Sequence, residues 1–209
     1  MSSGRRLTDW PPRGSAVLGV VVGTVALVVG VAGLMVGRER GVLAAAAFVS
    51  GYLAIALLAV TLLIGPVRRL ARRRSPAHIR FRRRVGVAAA VMSATHTGIG
   101  LQVHVGGHIL RYFTGGGRYL IDEFRLANWT GLIALLALAP AFVTSSDRAM
   151  ARLGLENWKR LQRLTLLAAP LALLHAIAYE HILTAWPWIV VLAVGGAGIT
   201  MLRVATKPG

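Results

Sequence analysis

Six apolar runs, each close to the ~20 residues that a bilayer's hydrocarbon core demands of a helix, govern what this chain can become. They lie at Ala16–Val36, Val42–Ile64, Val85–Leu110, Trp129–Thr144, within Trp158–His181, and at Trp186–Leu202. Inside lipid every backbone N–H and C=O must find its partner within the protein, which leaves helices and closed barrels as the only spanning structures. Runs of this length, without the alternation of a barrel strand, predict helices. The fold expected is an all-α, polytopic membrane bundle of six transmembrane helices. The 56% hydrophobic content of the 209 residues agrees, being above the composition of ordinary soluble domains. The first run is read as a retained span, because it is long and no A-x-A cleavage pattern follows it.

The basic residues set the orientation. Of the 24 Lys and Arg, 19 fall in segments that share one side of such a bundle, and only Arg38, Arg40, Arg111, Arg118 and Arg125 fall on the other. The basic side faces the cytoplasm, so both termini are expected there. Residues 1–15 form a cytoplasmic lead-in, 16–203 the membrane domain and 204–209 a short cytoplasmic tail. Gly65-Pro66 is read as the end of the second span, Arg38-Glu39-Arg40 as a tight turn, and Ser145–Arg160 as a cytoplasmic loop. The net charge of +17 would suggest nucleic acid in a soluble protein. Here the charge is spread over short connections, as topology-setting charge is, and no soluble domain carries it. The partner expected is membrane lipid, and the very basic loop before the third span could also bind anionic lipid or another partner.

Two histidines stand apart from the rest. His175 lies deep in the run that follows Trp158, Lys159, Arg160 and Arg163, and His96 lies deep in the third run, in Val91–Gly100. An ionisable ring at that depth is costly unless it has a partner. Both spans start on the basic side and are parallel. His96 is 12 residues past Arg84 and His175 is 12 past Arg163, which puts both rings about 18 Å above a basic anchor at ~1.5 Å per residue. Equal depth on parallel helices suits the two axial ligands of a single haem. Ala94, Gly98, Gly100, Ala172, Ala176 and Ala178 would allow a macrocycle close to the backbone. The plainer alternative is two histidines satisfied by threonines or backbone carbonyls. The chain has no cysteine, which excludes iron–sulfur clusters and covalent c-type attachment, so a haem here would be bound non-covalently.

The stretch from Asn128 to His175 resembles the ferric reductase-like transmembrane family, which includes the membrane cores of ferric reductases and NADPH oxidases. The resemblance rests on T-G-L at Thr130–Leu132, T-S-S-D-R at Thr144–Arg148, L-G-x-x-x-W at Leu153–Trp158, and a histidine late in the fifth span. Before that, only hydropathy and the R-R-x-G at Arg83–Gly86, ahead of His96, are shared. The resemblance implies b-type haem and electron transfer across the membrane. Members typically carry W-x-x-L-H-R-L, whose histidine can serve a second haem nearer the cytoplasm. Here that position is Gln162, and its partner on the third span would fall near Arg82 or Arg83. Neither an amide nor a guanidinium is an ordinary haem ligand, so one haem per chain is expected. Gln162 and Arg82 are candidates for contacting a propionate, a quinone or a reduced flavin instead.

His78 is expected in solvent within the basic loop. His104 and His108, spaced i and i+4, would share a face near the outer end of the third span, with His181 at similar height. Three imidazoles there could hold a transition metal or an outer haem, or could be interfacial histidines bonded to Tyr112, Tyr179 or Glu180. Gly115–Gly117 reads as an outer loop. The chain shows no nucleotide-binding motif, so an electron donor must come from elsewhere: a flavin reductase, a free reduced flavin or membrane quinol. The leading expectation is a multi-pass cytochrome of the plasma (inner) membrane feeding an outer-face redox partner. The others are a metalloreductase acting on Fe(III) or Cu(II) at the outer face, and a non-redox scaffold.

Overall fold

The computed structural model describes residues 27, 29–70, 77–108, 110, 123–182 and 186–205. Most of the first expected span, the Gly115–Gly117 loop, Tyr112, the side chain of His78 and the terminal segments lie outside these described residues. Within them there are helices and turns but no strand.

A first helix, α1, covers residues 29–40 and includes Arg38-Glu39-Arg40, so the expected turn sits one residue later. Gly41, at φ +90, makes it; this left-handed conformation is costly for any residue with a Cβ. The second helix, α2 (Val42–Leu70), contains the Gly65-Pro66 pair expected to end it. Proline removes one amide donor and crowds the preceding turn. With only four residues beyond it, that local cost is small beside the packing that holds the helix. The third, α3 (Ala77–Val105), starts eight residues before the expected span and takes Arg80, Arg82, Arg83 and Arg84 into its first turns. The Ser75-Pro76 that precedes it is a helix-start signal. At its other end Gly106 (φ +60) and Gly107 (φ +82) break the helix, their amides returning to the carbonyls of Gln102 and Leu101.

The fourth helix, α4 (Glu123–Val143), leads to a segment read from the sequence as a loop, which is instead α5 (Asp147–Arg163). Ser146 caps α5 by accepting from the Ala149 amide at 3.1 Å, and Asp147 sits in its first turn, where the helix dipole favours a negative charge. This helix buries no residue fully and bends at Gly154, φ +72. It lies as an amphipathic rail beside the bundle, and Arg83 of α3 forms an ion pair with Asp147 at its start. Leu164 separates it from α6 (Thr165–Ile182), and α7 (Trp186–Ala205) closes the described chain.

Two antiparallel pairs, α2 with α3 and α4 with α6, make the most extensive contacts, and α7 packs on α6 and α2. Where the pairs meet, the core is Leu58, Ala89, Ala137, Leu138 and Ala168. Alanines at these positions let helix backbones approach closely, as membrane bundles require. Large apolar side chains such as Leu34, Val143 and Met201 are instead more than two-thirds exposed. Outward-facing residues of this kind match a lipid surround rather than water. Three helical stretches, Val42–Leu70, Phe124–Val143 and Asp147–His181, are long and apolar enough to cross a bilayer, and Ile189–Leu202 is a shorter apolar segment. The α3 helix is not among them, because His96, Gln102 and His104 dilute its apolar character. The protein is an all-α membrane helix bundle.

Candidate functional site

His96 projects from α3 and His175 from α6, toward each other, with ring centroids 5.9 Å apart and planes at 81°. Each ring is tied back by one nitrogen. His96 Nδ1 lies 2.8 Å from the Ala47 carbonyl of α2, and His175 Nδ1 lies 2.6 Å from the Ala127 carbonyl of α4. A carbonyl only accepts, so each Nδ1 must carry the proton and each Nε2 must keep its lone pair. The plainer alternative, histidines satisfied by backbone carbonyls, is thus half realised: the carbonyls fix Nδ1 and leave Nε2 uncommitted. Hydrogen bonds of this kind set the tautomer and aim of metal-binding imidazoles.

Glycine makes the close approach possible. A Cβ at Gly51 would stand 2.8 Å from His96 Cε1, and one at Gly131 would stand 2.6 Å from His175 Nδ1. Each glycine follows its carbonyl by four residues, one turn along the same helix. Between them stand Ser50, whose hydroxyl donates to the carbonyls of Ala46 and Ala47, and Thr130, whose hydroxyl donates to those of Leu126 and Ala127. The two halves of the site repeat one pattern: Ala-x-x-Ser/Thr-Gly on one helix and a histidine on its antiparallel neighbour. Sequence reasoning missed these four backbone partners. Their signal was the pairing of Ala47-Phe48-Val49-Ser50-Gly51 with Ala127-Asn128-Trp129-Thr130-Gly131, of which only the second copy drew notice.

The two rings look onto a cavity of 440 Å³ lined also by Leu58, Ala134, Leu138, Ala172 and Ala176, within the ordinary range for cofactor pockets. At the far end its wall becomes polar. There Tyr52 donates to Glu180 Oε1 at 2.6 Å, Arg40 and Glu39 join the lining, and Tyr179 donates to the fully buried Asn128. Tyr179 also bridges the rings of His175 and His104, at centroid distances of 4.9 and 5.1 Å.

The remaining candidate residues are scattered. His104 packs against Phe124 and Tyr179. His108 lies beyond the Gly106-Gly107 turn, so it does not share a helix face with His104 as the i, i+4 spacing predicted; the glycine pair ended the helix first. His181 is exposed at the end of α6. No group of three or more His, Asp or Glu side chains among the described residues is placed to hold a metal ion. Gln162 donates to the Ala141 carbonyl at 3.1 Å, while Arg82 lines a separate cavity together with Arg69 and Arg163.

Helices suited to lipid, with two neighbouring imidazoles held at their centre by matched carbonyls and glycines, define a membrane bundle with a polar pair in its core. The chain belongs to the ferric reductase like transmembrane component family, whose pattern it matches over residues 50–173. That match takes in Gly51, Gly131, His96 and the first half of α6, and stops two residues short of His175. The protein-methionine-sulfoxide reductase heme-binding subunit MsrQ of Caulobacter vibrioides is similar to this chain. The two are 33% identical over 120 residues, which is 57% of this chain and 53% of that protein. The match therefore spans about half the relative's length. No solved structure matches the chain.

Proposed function

We propose that this protein is a haem-binding electron-transfer subunit of the plasma (inner) membrane, in which His96 and His175 are the axial ligands of one haem b. The reading rests above all on the two Nδ1 contacts, which leave both Nε2 lone pairs uncommitted on rings that line the same cavity. Ring centroids 5.9 Å apart are close enough for both imidazoles to hold one metal ion. A monatomic ion with only two imidazoles would be poorly coordinated. A porphyrin would supply the further nitrogen ligands, and the apolar cavity walls suit its faces. When bound, the haem supplies one-electron chemistry. The chain's own part is to fix two rings, exclude water with Leu58, Leu138 and the alanines, and set the depth of the site.

The family membership and the name of the similar protein support a membrane redox role. In this reading the basic ends of α3 and α5 face the cytoplasm, as do both chain termini. Electrons enter from that side, from reduced flavin, a flavin reductase or quinol, and leave toward a redox partner at the outer face. The outer end carries Tyr52, Glu180, Tyr179 and His104, an aromatic and polar exit close to His175.

Haem content and spectrum test the assignment. The purified protein should contain one haem per chain with a low-spin, six-coordinate spectrum. His96→Ala and His175→Ala should each lose most of the haem while keeping the helical far-ultraviolet signal, and His78→Ala should lose none. Full haem with an unchanged low-spin spectrum in either of the first two variants would overturn the ligand assignment.

A further inference from the structure

A second cavity, of 1310 Å³, lies between α2, α6 and α7. It is apolar for most of its length, lined by Ile55, Leu62, Leu173, Leu192 and Ile199 among others, and shares the wall of Tyr52, Ile55, Leu58 and Ala172 with the histidine cavity. At about 30 Å³ per molecule it would take roughly forty waters, and apolar walls give those waters almost no partners. An apolar occupant fits this interior far better.

One end of the cavity is chemically unlike the rest. Arg69 at the end of α2, Arg82 in the first turns of α3 and Arg163 at the end of α5 line it with exposed side chains. Each guanidinium is a fork of donors suited to phosphate oxygens, and here three helices supply one each. Basic pockets between transmembrane helices on the cytoplasmic side are places where anionic lipid headgroups bind. We propose that this cavity holds one anionic phospholipid of the cytoplasmic leaflet. Its acyl chains lie between α2, α6 and α7, and its phosphodiester sits against Arg69, Arg82 and Arg163. The size fits a whole lipid better than a compact cofactor, since it exceeds the ordinary range of small-molecule pockets. The inference goes beyond the haem reading and borrows from it only which leaflet is meant.

The test uses the full-length protein purified in a neutral detergent and read by native mass spectrometry and thermal unfolding. Phosphatidylglycerol, phosphatidylcholine with the same acyl chains, and inorganic phosphate are the probes. One phosphatidylglycerol per chain should be retained, with roughly a hundredfold preference over phosphatidylcholine for three basic contacts. Replacing both Arg69 and Arg163 with Gln should cut that preference to about fivefold, the share of the one remaining arginine. Ala197→Phe, which adds bulk to the α7 wall without changing charge, should weaken both lipids alike. Equal binding of the two lipids by the parent protein would overturn the headgroup assignment. So would an equal thermal shift from inorganic phosphate alone, and a second haem filling the cavity would displace the lipid altogether. None of these readouts depends on His96 or His175, so failure here and failure of the haem assignment are separate results.

Discussion

Gly51 and Gly131 are where a single atom should matter most. Alanine at either site would normally favour a helix by about 0.5–1 kcal/mol. Here the added Cβ would fall 2.8 Å from His96 and 2.6 Å from His175, inside van der Waals contact, and would push each ring off its carbonyl. Gly51→Ala and Gly131→Ala are therefore expected to keep or raise helix content while haem content drops several-fold. Gly98→Ala, whose Cβ would meet nothing within 4 Å, should leave haem intact. Equal haem content in all three, measured by pyridine haemochrome, would mean the glycine contacts do not shape the site. The histidines themselves were legible in the sequence because a polar ring in a long apolar run is conspicuous. Their supports were not: a backbone carbonyl has no sequence signature, and a glycine's importance depends on which ring a neighbouring helix brings to it.

At the scale of the element, α5 does most to explain what the sequence left unread. Its polar, charged pattern looks like a loop when spans are sought by hydropathy, since an amphipathic helix has no apolar run. It is fastened to the bundle from one face. Trp158 Nε1 donates to the Thr144 carbonyl at 2.9 Å, and Gln162 Nε2 reaches the Ala141 carbonyl and the Thr144 hydroxyl. Both close the end of α4, where helix carbonyls lack internal partners. Gln162 therefore does a capping job, which accounts for an amide being useful at that position. Gln162→Leu would leave a partly buried carbonyl short of a donor at a cost of about 1–3 kcal/mol. The thermal midpoint of the variant should fall by several degrees with haem stoichiometry unchanged. Loss of haem in parallel would point instead to a direct role at the cofactor. The span ends were the other weak point, because Gly65-Pro66 and Gly106-Gly107 look alike as breakers. Only the second pair takes the left-handed conformations that stop a helix.

For the whole molecule, the spread of charge makes the firmest demand. Reporter fusions after Asp147 and Gly209 should register the cytoplasm, and one after Gly116 the opposite side. An outer signal at Gly209 would reverse the direction of electron flow proposed here. Hydropathy and charge were enough to anticipate an all-helical membrane bundle, because lipid tolerates so few alternatives. They could not anticipate which helices touch. That depends on small residues such as Ala89, Ala137 and Ala168, which look the same wherever they occur.

The matching halves of the site carry one more consequence. His96 is joined to Ala47 across 49 residues and His175 to Ala127 across 48, so each antiparallel pair is a finished jaw and neither can close on anything alone. A haem seated between them would act as a rivet through two plates, giving mechanical unity to what the backbone links by a single connection. If the chain is divided between residues 108 and 123 and the pieces are produced together, they should co-purify when haem is plentiful and drift apart when it is scarce. An intact protein starved of haem should likewise come apart at this seam first, with protease cutting between the halves long before it reaches either jaw.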